Sequence, residues 1–174
     1  MIRVTLRDTV KEFNDGINAY EIAKSFGGGF YKNVCAARIN GVNSDLRTVL
    51  NDGDTLELLT FEDEGGKHVF RHTASHVLAQ AVKRLYPETK LTIGPAIEGG
   101  FYYDFDTPPF SREDLDNLEK EMKKIIKEGH AITRFTLPKA EAIKFMQEKD
   151  EPYKVELIEA LPDDAVISFY DQGE

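Results

Sequence analysis

The sequence of 174 residues predicts an α+β fold in two parts, a small β-grasp module over residues 1–61 and a second α+β module over residues 62–174. Three observations carry this reading. The first sixty residues order themselves as strand, helix, hairpin and strand. A charged, glycine-containing stretch, Phe61-Glu62-Asp63-Glu64-Gly65-Gly66-Lys67, then interrupts all apolar periodicity and reads as a linker. After it, helix-period apolar stripes alternate with short aromatic-rich strands.

Residues 2–6 (Ile-Arg-Val-Thr-Leu) alternate like a half-buried strand. Asn18 with Glu21 forms a capping-box pattern ahead of Ile22, Ala23 and Phe26, and Gly27-Gly28-Gly29 ends that helix. The glycines follow a helix rather than opening one and carry no Gly-Lys-Ser/Thr, so a C-cap explains them better than a phosphate loop. Val34–Ile39 runs into Asn40-Gly41, a strong hairpin signal, and Asn51-Asp52-Gly53-Asp54 turns into a last strand at 55–60.

In the second module, the first helix carries His72 and His76 and ends near Tyr86-Pro87. At about 100° per residue, Phe70, Ala74, Val77, Leu78, Ala81 and Leu85 share one arc, while His72 and His76 lie opposite with Gln80 and Lys83. Leu91–Pro95 and Gly99–Asp106 read as two strands separated by turns. Ser111 and Asp114 box the start of a helix striped by Leu115, Leu118, Met122, Ile125 and Ile126 and closed by Gly129. A shorter helix after Pro138 presents Ala142, Ile143, Phe145 and Met146, and strands at Tyr153–Ile158 and Ala165–Tyr170 close the chain.

Composition narrows the function classes. A net charge of −9, from 22 Lys and Arg against 31 Asp and Glu, argues against a polyanion-coating protein. No apolar run approaches the roughly 20 residues of a membrane span, and the N-terminus lacks the pattern of a secretory signal, so a cytoplasmic location and no membrane partner are expected. The single Cys35 can form neither an internal disulfide nor a thiolate zinc site, and reads as a small buried hydrophobe.

The sharpest chemical signal is the His72/His76 pair, because residues four apart are neighbours on a helix. A single histidine is most simply structural or solvated; two on one non-core face point to a ligand pair or to acid–base work near neutral pH. Thr73 stands where a zinc protease helix places its general base, which removes that reading. His68 would extend the face to three, but sits at the edge of the linker stretch. No metal site and no bound cofactor are therefore expected from these residues.

The blocks Arg71-His72-Thr73-Ala74-Ser75-His76-Val77-Leu78, Ile93-Gly94-Pro95 through Gly100-Phe101-Tyr102-Tyr103-Asp104, and Pro152-Tyr153-Lys154-Val155-Glu156-Leu157-Ile158, behind a β-grasp module, resemble the N-terminal half of bacterial threonyl-tRNA synthetases. The His and aromatic blocks are also similar to the editing domain of alanyl-tRNA synthetases, which lacks the leading module. The resemblance implies a TGS-like domain followed by an editing domain that hydrolyses mischarged Ser-tRNA(Thr), with His72, His76 and Lys154 as its catalytic residues. Its implied partner is the tRNA(Thr) acceptor end carrying serine. In the family a Cys and His half-motif follows a strand ending Tyr-x-x-x-Glu, and this sequence stops at Tyr170-Asp171-Gln172-Gly173-Glu174. The resemblance thus implies an editing domain truncated at its C-terminus, with deacylation lost or severely reduced and no aminoacylation. ATP, Mg and Zn belong to the absent core, and a homodimeric whole protein with a monomeric fragment is expected. Two alternatives stand beside it: a non-catalytic RNA- or protein-interaction module with a structural His pair, and a metal-dependent hydrolase completed by ligands from another chain.

Overall fold

A computed structural model describes residues 1–173; Glu174, the last residue of the Tyr-x-x-x-Glu stretch, lies outside the described residues. The α+β class is borne out, in two compact units, Met1–Thr73 with Ala96–Gly100, and Ala74–Pro95 with Phe101–Glu174.

The first unit contains β1 (Ile2–Leu6), β2 (Thr9–Phe13), α1 (Ala19–Ser25), a 3₁₀ turn (Phe30–Asn33), β3 (Val34–Ile39), β4 (Val42–Ser44) and β5 (Thr55–Thr60). The strands form one sheet in the order β2-β1-β5-β3-β4, with β1 parallel to β5 and the other pairs antiparallel. Helix α1 lays Ala19 and Ile22 against Ile2, Val4, Ala37, Ile39 and Leu56. Its capping box forms as the sequence predicts, with Glu21 N–H donating to Asn18 Oδ1 at 2.9 Å and Asn18 N–H to Glu21 Oε2 at 3.1 Å. Gly27 follows the last helical turn at φ +69°, the left-handed conformation that suits a helix C-terminus. Strand β2 is an addition to the sequence reading. Its residues are mostly exposed, so no alternation marks it, and its turn places Arg7 rather than glycine at positive φ (53°).

The predicted linker is largely helix. Helix α2 spans Glu64–Leu85, and Asp63 prepares its start. The Asp63 carbonyl accepts the first helical bond from Lys67 N–H at 2.8 Å, while its carboxylate accepts from Thr60 N–H at 2.7 Å. Gly65 and Gly66 serve close approach here rather than flexibility. A Cβ on Gly66 would stand 1.8 Å from the Thr60 carbonyl oxygen, and one on Gly65 would stand 2.9 Å from Leu59 Cδ1.

The second unit takes the rest of α2 and adds β6 (Lys90–Leu91), β9 (Phe105–Asp106), α3 (Arg112–Glu128), β10 (Thr133–Pro138), α4 (Lys139–Glu148), α5 (Pro152–Glu159) and β11 (Val166–Asp171). The short strands β7 (Ala96–Ile97) and β8 (Gly100–Phe101) precede β9. Helices α2 and α3 share a core of Val77, Ala81, Val82, Leu118 and Ile125. Arg84, on α2, donates to Glu121 at 3.0 Å and to Glu128 at 2.8 Å, both on α3. A second core joins Ala142, Met146 and Ile158 to the β10–β11 pair, where Phe135 and Phe169 sit opposite each other and stack at 5.3 Å.

Several expectations are corrected. The predicted strand Tyr153–Ile158 is the helix α5: Pro152 occupies its first turn, and Val155 and Ile158, three apart, share a face packed on α4. The β-branched Val155 and Ile158 serve helix packing here. Strand β10, unmarked in the sequence, supplies β11 with its partner. The apolar arc of α2 is displaced, since Phe70 and Leu85 are exposed while Ser75, Ala79 and Val82 are buried. Leu115 and Ile126 sit at the exposed margins of the α3 stripe. Cys35 is half-buried rather than buried. No helix is long and apolar enough to cross a membrane among the described residues.

A Gly→Ala change inside a helix ordinarily stabilises by roughly 0.5–1 kcal/mol. Gly66→Ala should reverse that sign, because its methyl group collides with main chain rather than with a movable side chain. Thermal unfolding checks this: the expected result is a lower Tm than the parent.

Candidate active site

Helix α2 carries His68, His72 and His76 on successive turns, because its start at Glu64 brings His68 inside it. The face of three that a linker at His68 would have broken is therefore continuous. In the first unit, the His68 and His72 rings meet edge to face at 6.3 Å between centroids. Arg71, beside them, donates from Nη1 to the carbonyls of Ile97 (3.2 Å) and Glu98 and so ties the β7 segment to this part of the helix. His72 reaches solvent, yet partial burial, and then the charge of His68, pull its pKa below the ordinary 6.5. A histidine shifted in this direction is predominantly neutral at pH 7 and can accept a proton.

In the second unit, His76 is half-buried, with its ring 5.6 Å from that of Tyr170 on β11 and inclined to it by 56°. One turn further along α2, Gln80 accepts a hydrogen bond from Gln172 Nε2 at 2.8 Å.

Lys154 stands on α5, not on a strand, and is half-buried rather than exposed. Its Nζ donates to the Thr92 carbonyl at 2.6 Å and lies 5.7 Å from the centre of the Tyr103 ring, within cation–π range. Burial lowers its pKa, and the nearby Glu151 carboxylate opposes that shift. Tyr103 is itself pushed up to about 12, by burial first and by Glu151 second. Its ring lies flat on Phe105 at 4.6 Å and against Gly94, where a Cβ would come within 2.1 Å of the ring. Only glycine lets the aromatic ring occupy that place.

The structure thus gives each predicted residue its own surroundings: His72 beside His68, His76 beside Tyr170, and Lys154 on Thr92 and Tyr103. Sequence reasoning passed over the roles of Gly94, Tyr103, Glu151 and Tyr170. Gly94 and Tyr103 were visible as members of glycine and aromatic blocks, but their mutual contact has no signature in spacing. Among the described residues, no group of three or more His, Cys, Asp and Glu is arranged to hold a metal ion.

Residues 2–60 match the TGS domain family. Beyond them the similarity continues to the end of the chain. The sequence is 58% identical over 176 aligned positions to the threonine–tRNA ligase of Acetivibrio thermocellus, covering all of this chain and 28% of that relative. It is 57% identical over 173 positions to the enzyme of the same name from Caldanaerobacter subterraneus, covering 98% of this chain and 27% of the relative. The Clostridium botulinum ligase is 57% identical over 176 positions, with coverages of 100% and 28%. The chain matches the N-terminal part of the threonine–tRNA ligases. It spans a little over a quarter of the length of the curated relatives it matches.

The direction of the His72 shift can be tested by following the imidazole Cε1–H signals in an NMR pH titration. The His72 midpoint should fall below 6.5. With the folded value below the unfolded one, the unfolded chain takes up this proton first. His72 therefore makes stability fall as the pH drops below 6.5, and replacing it with Gln should flatten that part of the acid limb. A midpoint above the ordinary value would contradict the burial argument.

Proposed function

We propose that this chain is the TGS and editing region of a threonine–tRNA ligase, and that its second module supplies part of the site that hydrolyses Ser-tRNA(Thr) in the ligase carrying it. The observation that carries the reading is the match along the whole of this chain to a little over a quarter of these ligases, together with His72 and His76 on adjacent turns of one helix. An enzyme selecting threonine meets serine, which lacks one methyl group and keeps the hydroxyl. A binding pocket rejects so small a difference by only about 1–3 kcal/mol, which makes a separate hydrolytic site useful.

In this reading the acceptor end of the tRNA presents the seryl ester to the His-bearing face of α2. Water adds to the ester carbonyl and passes a proton to a neutral imidazole. The bond to the terminal ribose oxygen then breaks and the proton returns to that oxygen, releasing serine and free tRNA. The lowered pKa of His72 supports a proton-accepting imidazole on this face. Lys154, directed by Thr92 and Tyr103, offers a fixed cation suited to the phosphate or the carbonyl oxygen of the substrate. The proposal assigns no metal or organic cofactor to this step.

Deacylation of Ser-tRNA(Thr) by the ligase carrying this region tests the proposal. Substituting His72, His76 or Lys154 with Ala should each slow it by about 100-fold or more, the span expected for a lost acid–base or positioning group. Unaltered deacylation in all three variants, with Tm values matching the parent, would overturn it.

A further inference from the structure

Gln80, on α2, and Gln172, just after β11, form a reciprocal pair. Gln172 Nε2 donates to Gln80 Oε1 at 2.8 Å, and Gln80 Nε2 donates to the Gln172 main-chain carbonyl at 3.5 Å. Both side chains are half-buried. The pair lies one step beyond the His76–Tyr170 contact on both elements, and the spacing is not accidental. Four residues of α-helix advance about 6 Å. Two residues of extended chain advance about 6.7 Å and project to the same side. An extended segment lying along α2 can therefore set Tyr170 on His76 and Gln172 on Gln80 at once.

The far side of the same segment is also fixed. Gly173, at φ +86°, lies so close to His130 that a Cβ would stand 2.7 Å from its Cγ, and its N–H donates to Asp171 Oδ1 at 3.0 Å. Strand β11 pairs only with β10 among the described strands, so main-chain bonding places its length but not its exit. The ladder holds Tyr170 opposite Arg134 and Asp171 opposite Thr133, and the Gln and glycine contacts begin where it stops, at Gln172 and Gly173.

We infer that Gln80 and Gln172 are positioning residues of the site described above: their amide pair fixes the exit of β11 on α2 and thereby holds the Tyr170 ring against His76. As a claim about catalysis, the inference rests on the editing reading. The pair touches no substrate; it acts through the orientation of an imidazole. Its hydrogen-bond polarity supplies a sharp test. Gln80→Glu keeps the acceptor of the 2.8 Å bond and gives up only the 3.5 Å one. Gln172→Glu has the same shape and charge change but removes the donor and sets a carboxylate against the Gln80 oxygen.

Ring-to-ring NOEs between His76 and Tyr170, measured on the chain, should persist in Gln80→Glu and vanish in Gln172→Glu. They should vanish also in Gln172→Met, which removes the donor without adding charge and guards against a simple charge effect on folding. In the ligase carrying this region, Gln172→Glu should lower kcat for Ser-tRNA(Thr) deacylation about ten- to a hundredfold with little change in KM. NOEs that survive in both Gln172 variants would overturn the inference, as would equal losses from the two Glu variants. Loss of the NOEs in the Gln172 variants alone, in a ligase whose parent form does not deacylate Ser-tRNA(Thr), would overturn the editing reading and leave the positioning of His76 by the pair supported.

Discussion

The second unit is organised around one buried carboxylate. Glu151 is 6% exposed, between α4 and α5, and its two oxygens are divided between two other elements. Oε1 pairs with Lys83 of α2 at 2.8 Å, and Oε2 accepts Leu91 N–H of β6 at 2.9 Å. Its main-chain carbonyl receives Lys154 N–H at 3.1 Å and Val155 N–H at 3.2 Å at the start of α5. Lys83 completes the arrangement by donating to the carbonyls of Pro87 and Thr89, both at 3.0 Å, where the chain leaves α2. One side chain thus sets the distances among α2, β6 and α5. Glu151 is the buried partner of the pair, so removing Lys83, which itself reaches solvent, would leave the carboxylate without its cation and destabilise the unit.

Lys154 stands three residues after Glu151, so the anchor that begins α5 also determines where that lysine points. Its ammonium group reaches Thr92, the residue after β6, and the Tyr103 ring, which Gly94 admits by having no Cβ. Partial burial, a carbonyl acceptor and an aromatic face hold the cation in one place. In the first unit glycine performs a related task at the other end of α2. Gly65 and Gly66 let the helix begin directly on the end of β5, and the phase fixed there determines which direction His68 and His72 face. The Phe61–Phe70 contact, edge to face at 5.1 Å, supports the same start.

Much of this was legible in the sequence where the signal is local. The Asn18/Glu21 and Ser111/Asp114 capping boxes, the Asn40-Gly41 hairpin and the Gly129 helix end all act within a few residues, and each forms as read. The failures share a physical cause. Strand β2 is exposed and turns on Arg7, so neither burial nor glycine marks it. Helix α5 reads as a strand in the sequence, whereas tertiary packing of Val155 and Ile158 on Ala142 and Met146 decides their state. Gly65-Gly66 looked like a linker because close approach to Thr60 and Leu59 cannot be distinguished by composition from flexibility. At the candidate site, the two histidines could be placed on one helix face from their spacing. Their neighbours could not, since His76 meets Tyr170, and Lys154 meets Thr92, across 94 and 62 residues of sequence respectively.

If the proposed editing function holds, His72, His76 and Lys154 each respond to an aminoacyl-adenosine. Binding of a non-hydrolysable seryl-adenosine analogue can be followed by NMR chemical-shift mapping beside its threonyl counterpart. Perturbations should centre on His72, His76 and Lys154, be larger for the seryl compound and vanish when both histidines are replaced by Ala. Equal shifts for the two analogues, or shifts that persist without the histidines, would contradict it.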